Sequence, residues 1–176
     1  SLALHDDYIY GWGNQDGTQG PGILVKHDIN GNEIWRESVT DKTRLADDWG
    51  RFGAEDISIS SDGSVYVVGY TTGVNSSEYG WSIFPEFNDQ SISNFDSPDG
   101  FIIKYDSTGN REWTKLLGGS SDDDIESVVV AQDGSIYVTG DTEEGILGTG
   151  DAHQGAGHIS KYNSDGTKAV SYTHLR

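Results

Sequence analysis

The sequence predicts an all-β chain, a fragment of a β-propeller with about two and a half four-stranded antiparallel blades. Three observations carry that expectation. A hairpin-like segment occurs nearly three times: GILVKHDINGNEIWRESV at 22–39, DGFIIKYDSTGNREWTKLL at 99–117 and GHISKYNSDGTK at 157–168. A second segment recurs in step with it: DDYIYGWG at 6–13, DGSVYVVG at 62–69 and DGSIYVTG at 133–140. The order of the two segments never changes, and internal repetition at a fixed spacing is the signature of repeat architectures. No stretch of ten or more residues has a helical period, so helix is excluded as the building block.

Each unit reads as four short strands. The first is Asp56–Ser60 or Ser127–Ala131, and the second is Tyr8–Trp12, Val65–Tyr70 or Ile136–Thr139. The third is Ile23–His27, Phe101–Tyr105 or His158–Tyr162, and the fourth is Glu33–Val39 or Glu112–Leu117. Between strands one and two lies SSDG or AQDG, where Asp and Gly supply the turn. Between strands three and four lies DINGN, DSTGN or NSDGT, which suits a type I turn closed by a left-handed Gly31, Gly109 or Gly166. Apolar residues occupy both faces: Phe101, Ile103 and Tyr105 oppose Ile102, and Val65 and Val67 oppose Tyr66 and Val68. A sheet of that kind must be covered on both sides. Propeller blades meet the requirement by stacking between neighbours, whereas a sandwich leaves one polar face per strand.

The joined motifs resemble a bacterial β-propeller repeat family, the SBBP-like repeats of large secreted and surface proteins. Its pattern runs from a Lys-ended strand through a turn and an aromatic to a Leu-Gly-Gly linker, then to an Asp-Gly-x-Val/Ile-Tyr-Val-x-Gly strand. Leu117-Gly118-Gly119 and Tyr137-Val138-Thr139-Gly140 match it, and Phe84-Pro85 sits where the family often has Phe-Pro. The first copy departs, with Asp6-Asp7 for Asp-Gly and Gly11-Trp12 for a branched pair. The resemblance implies a structural or binding scaffold located outside the cell or on its surface. Trp35 and Trp113 are expected to pack blades, while Lys26, Lys104 and Lys161 mark the repeat without a role that sequence assigns.

The expected organisation is a partial propeller over 1–169. It comprises an incomplete blade at 1–39, a full blade at 53–117 carrying an insertion at 80–100, and an incomplete blade at 124–169. The third copy should place an aromatic near 170, as Trp35 and Trp113 do in theirs. Instead it gives way to VSYTHLR at 170–176, which resembles a translated sequencing adapter and is expected to be a non-native tail. Such a piece leaves unpaired edges and an uncovered blade face, so the remaining blades of a parent chain are expected partners.

The chain has 176 residues, no Cys, and 29 acidic against 11 basic side chains, for a net charge of −18. That balance argues against nucleic acid, whose phosphates need a positive footprint. No apolar run is long enough to span a bilayer, so no membrane insertion is expected. Without Cys, disulfides and thiolate metal sites are excluded.

No catalytic constellation emerges, and the expected activity is none. Asp28, Asn30 and Asn32 alternate like the start of a calcium loop, but Glu33 and Thr40 stand where an EF-hand needs Gly and Glu. They read as turn residues. Asp122, Asp123 and Asp124, near Glu126, and a second loop with Asp141, Glu143, Glu144 and Asp151, are weak candidates for a Ca²⁺ site. Their bland alternative is a solvated linker. His153 and His158 have no zinc spacing. The aromatics Trp81, Phe84, Phe87 and Phe95 of the insertion are candidate contacts to carbohydrate or protein, or a satellite cluster over the blade edge. The runner-up function is therefore a Ca²⁺-dependent adhesion or carbohydrate-binding module. A quinoprotein-like dehydrogenase propeller is less favoured, because Asp106 to Gly109 is one residue short of that family's docking motif and no vicinal Cys exists.

Overall fold

The computed structural model describes residues 1–14, 22–39, 52–71, 86–87, 90–91, 98–118, 122–142 and 156–173. They form fourteen strands and three four-stranded antiparallel sheets, the blades of a partial, unclosed β-propeller. The first sheet is β1 (Leu2–His5), β2 (Tyr8–Asn14), β3 (Gly22–Asp28) and β4 (Glu33–Ser38), in that spatial order. The second contains β5 (Phe52–Ile59), β6 (Val65–Thr71), β9 (Asp99–Tyr105) and β10 (Arg111–Leu117), again from first to last. The third is β11 (Ser127–Val130), β12 (Ile136–Thr142), β13 (Ala156–Tyr162) and β14 (Lys168–Thr173). A small ribbon, β7 (Glu86–Phe87) and β8 (Gln90–Ser91), lies within the insertion.

The outer hairpins fold alike because their turns share one chemistry. Gly31, Gly109 and Gly166 have φ of 86°, 94° and 78°, the left-handed region that glycine enters without a Cβ penalty. Each glycine N–H donates to the carbonyl three residues back: Asp28, Asp106 or Asn163. The ladder then shifts by one residue at Lys26/His27, Arg111/Trp113 and Lys161/Tyr162, the bulge that accompanies such a turn. The Asp28 carboxylate accepts from the Asn30 and Asn32 N–H groups at 2.9 and 2.8 Å and from Asn32 Nδ2 at 2.7 Å. Asp106 accepts likewise from Thr108 and Asn110. The alternating Asp28, Asn30 and Asn32 thus form the turn itself, as the sequence indicates.

The alternation on the second sheet divides its side chains between two cores. Val65, Val67, Phe101, Ile103 and Tyr105 pack toward the first sheet, against Tyr10, Leu24 and Trp35. Tyr66, Val68 and Ile102 pack toward the third, against Ile125, Val128, Ile136 and Tyr162. Burying one Val, Ile or Phe contributes about 1.5–3 kcal/mol, so the middle blade is stabilised from both sides. Within each blade the order places β1, β5 and β11 at one edge, and β5 packs against both of the others.

The first and third units differ from the sequence expectation, because each has four strands. Leu2–His5 pairs with β2 through the two-residue turn Asp6-Asp7, in which Asp6 takes φ 50°. Those two Asp residues replace the Asp-Gly pair with a tighter hairpin, and the repeat pattern gives no sign of the strand before it. Lys168–Thr173 pairs with β13, so the 170–173 segment completes the third sheet. Its register follows from the Asn163–Thr167 turn, whose geometry matches the other two copies. The count is therefore three four-stranded sheets in place of two and a half.

The closing glycine of the inner repeat has a packing role that differs between copies. A Cβ on Gly69 would lie 1.9 Å from the Gly53 carbonyl oxygen, and one on Gly140 would lie 2.0 Å from that of Asp124. In both blades the chain entering the first strand crosses over this glycine. Gly13 has nothing within 4 Å of its Cβ position. Gly69→Ala and Gly140→Ala are expected to lose about 2–3 kcal/mol by overpacking, and Gly13→Ala under about 1 kcal/mol. Urea unfolding of the three variants checks this ranking.

Candidate functional site

The repeat-defining lysines sit in the middle of a cross-strand row. Register places Tyr10 opposite Lys26 and Lys26 opposite Trp35. The same row reads Tyr66–Lys104–Trp113 in the second sheet and Tyr137–Lys161–Val170 in the third. Lys26 Nζ lies 4.1 Å from the Tyr8 ring centroid and 5.2 Å from that of Tyr10. Lys104 lies 5.8 Å from Tyr66, and Lys161 lies 5.4 Å from Tyr137. The ammonium is held over the negative face of the aromatic ring, worth about 0.5–1 kcal/mol at an exposed site and more at a buried one such as Lys26. Trp35 meets Tyr10 edge-on at 6.1 Å, and Trp113 meets Tyr66 in the same way at 6.1 Å. Lys104 also pairs with Glu112 at 2.7 Å.

This row reaches across to the next blade. Trp35 Nε1 and Lys26 Nζ both donate to the Ser107 carbonyl, each at 3.3 Å, in the outer turn of the second sheet. The Trp35 ring covers Gly109 so closely that a Cβ there would lie 3.0 Å from its Cδ2. One blade further, Gly166 stands 3.4 Å from Trp113 Cδ2 by the same measure. Each tryptophan therefore packs on the glycine turn of the following blade, the packing role expected for both. At the inner edge, Asp56 on β5 joins all three blades. Its carboxylate accepts from Ser1 Oγ at 3.0 Å, Ser127 Oγ at 2.8 Å and the Val128 N–H at 3.0 Å. Burial would raise its pKa, but these bonds and the Ile57 N–H outweigh that and hold it below the ordinary carboxyl value. Sequence reasoning saw Asp56 only as the start of a strand. The repeat already aligns it with Ser127, and pairing of Ser1 with Trp12 adds Ser1 to the same position.

The acidic runs are partly brought together. Asp124 and Asp141, with Glu126, place carboxylate oxygens within 4.8 Å of one another. The juxtaposition comes from backbone pairing: the Asp124 N–H donates to the Asp141 carbonyl, and the Asp141 N–H donates to Asp124 Oδ1 at 3.2 Å. The contiguous triplet is split. Asp122 is exposed, Asp123 is buried, and only Asp124 joins the group. Three hard oxygen donors of this kind suit Ca²⁺ or Mg²⁺ better than zinc. Asp151, Glu143, Glu144, Trp81, Phe84 and Phe95 lie outside the described residues, and Phe87 is described only as backbone in β7.

Three stacked antiparallel blades joined through their strand edges and turns define a propeller-class repeat protein. Residues 112–148 match the SBBP beta-propeller repeat. The match straddles two blades, running from β10 through the linker to β12, so the family's repeat spans a blade-to-blade junction. The chain is also 30% identical over 152 residues to a protein of Caulobacter vibrioides described as regulatory protein FlaEY. That similarity covers 81% of this chain and 14% of the relative, so the chain spans a small part of that protein's length.

Titration follows from two kinds of group. Asp62 is held down to about 2, chiefly by Ser60 Oγ and the Ser64 N–H, and Asp106 is lowered further by Asn110 and Thr108. Their stabilising effect is present above the ordinary carboxyl value of 3.8 and is lost as pH falls through the lowered values. His158 is buried, and desolvation lowers its pKa from 6.5 despite the opposing Gly140 backbone, Asp124 and Asp141. The unfolded chain then takes up the proton first, so stability is lost as pH falls below 6.5. The melting temperature is expected to fall in two limbs, and His158→Gln should flatten the upper limb while leaving the lower one. Thermal melts across pH check it; an unchanged upper limb in the variant would contradict it.

Proposed function

We propose that this chain is a non-catalytic propeller scaffold, part of a secreted or cell-surface bacterial protein, that presents loops for binding. One observation carries the reading: the repeated polar residues are spent on architecture. Asp28 and Asp106 build turns, Lys26 and Lys104 sit on aromatic rings, and Asp56 links blades. The net charge of −18 suits a protein that stays soluble in salty surroundings and avoids nucleic acid. Partners under this reading are proteins or carbohydrates, met through the 80–100 insertion and the interblade loops.

A second reading is favoured by the Asp124, Glu126 and Asp141 group: Ca²⁺-dependent adhesion or carbohydrate binding. Calcium titration with calorimetry and melting temperature distinguishes the two. Binding to the folded state stabilises it by mass action, about 2.7 kcal/mol at a hundredfold excess over Kd, and so raises the melting temperature. Under the calcium reading the rise saturates and disappears in Asp124→Asn/Asp141→Asn. Under the scaffold reading neither heat nor shift appears in either protein.

A further inference from the structure

The two seams, where one sheet packs on the next, share one register but are filled differently. On the face of the third sheet that meets the second, Gly140, Val138 and Ile136 pair with His158, Ser160 and Tyr162. On the face of the second sheet that meets the first, Gly69, Val67 and Val65 pair with Phe101, Ile103 and Tyr105. All six partners are buried. The tyrosines correspond, so the difference lies in His158 and Ser160, which stand where the first seam has Phe101 and Ile103. Neither ring nitrogen of His158 meets a hydrogen-bond partner among the described residues; the Gly140 backbone is near enough only to favour its charged form.

The ties across the two seams differ as well. At the outer edge of the first seam, Lys26 Nζ and Trp35 Nε1 both donate to the Ser107 carbonyl. Lys104, the equivalent of Lys26, pairs instead with Glu112 of its own sheet, which stands where the first sheet has Ile34. Among the described residues no hydrogen bond joins Lys104 or Trp113 to Ser164, the counterpart of Ser107. Trp113 and Lys115 pack on Gly166, and Lys115 attracts Asp165 through space. The inner edge of the second seam is held: Asp56 accepts from Ser127 Oγ and the Val128 N–H, and Ser58 Oγ accepts from the Val130 N–H at 3.2 Å. We propose that the second seam is a hinge. The third sheet swings from the second about β11, opening at its outer edge and exposing the His158–Ser160 face while its own ladder stays paired. The first seam, apolar in the middle and tied at its outer edge, stays closed. A polar side chain loses less on meeting water than the apolar one it replaces, and local openings are drawn from such regions. The inference holds under either reading of ligand binding.

Thiol accessibility tests it, because the chain has no Cys. Val67→Cys and Val138→Cys each place one thiol at equivalent, fully buried positions of the two seams. With a soluble disulfide reagent under native conditions, Val138→Cys is expected to react at least about tenfold faster than Val67→Cys. Adding His158→Phe and Ser160→Ile, the residues of the first seam, should slow it to near the Val67→Cys rate. Urea should speed the reaction less steeply than it promotes global unfolding, since an opened seam exposes less surface than the unfolded chain. Equal rates in the two cysteine variants, a Val138→Cys rate unmoved by the two added changes, or labelling in step with global unfolding overturns the proposal. His158→Phe alone serves if the double change does not fold: it should give part of the slowing, and no slowing overturns the proposal equally.

Discussion

A β-sheet that is apolar on both faces cannot stand alone in water, and that constraint governs this chain. Alternation along β6 and β9 sends Val65, Val67 and Ile103 one way and Tyr66, Val68 and Ile102 the other. Neighbouring blades must then cover both sides, and the middle sheet is covered by the first and the third. The contact is asymmetric. The first and second blades each present a Tyr–Lys–Trp row to the blade that follows, and the second and third each receive a tryptophan on the outer glycine turn. The interface has two different faces, and among the described residues the first and third sheets are each covered on one side only.

The same constraint explains the repeat-defining residues. Lys26, Lys104 and Lys161 each lie over the tyrosine of the adjacent strand. Asp99 accounts for one part of the Leu-Gly-Gly motif, since a Cβ on Gly118 would collide with its carboxylate. Asp56 gathers hydrogen bonds from Ser1, Ser127 and Val128 where the inner strands meet. The 80–100 insertion and the Asp124, Glu126 and Asp141 group stand outside this recurring pattern.

The fold was largely legible because its rules are local. Turn chemistry and two-residue alternation identify ten strands and the left-handed Gly31, Gly109 and Gly166 without any tertiary information. Four strands escaped: β7 and β8 form the small ribbon of the insertion, and β1 and β14 lack the recurring pattern. LALH has no counterpart to the Asp56 motif, and Lys168–Thr173 carries Val170 where the other copies have tryptophan. Backbone pairing supplies their register instead. The acidic site was legible only in part. A contiguous run, Asp122 to Asp124, says nothing of which side chain points outward, and Asp124 meets Asp141 through a pairing 17 residues apart.

Native-state hydrogen exchange tests the central claim most directly, because it reports opening free energies strand by strand. Coverage on both faces predicts that amides of β6 and β9 exchange slowest and only by global unfolding. Those of β1, β2, β13 and β14, on sheets with one open face, should exchange through smaller openings at lower free energy. Equal protection across the three sheets, or a middle sheet that opens first, would contradict an architecture held together by blade-to-blade burial.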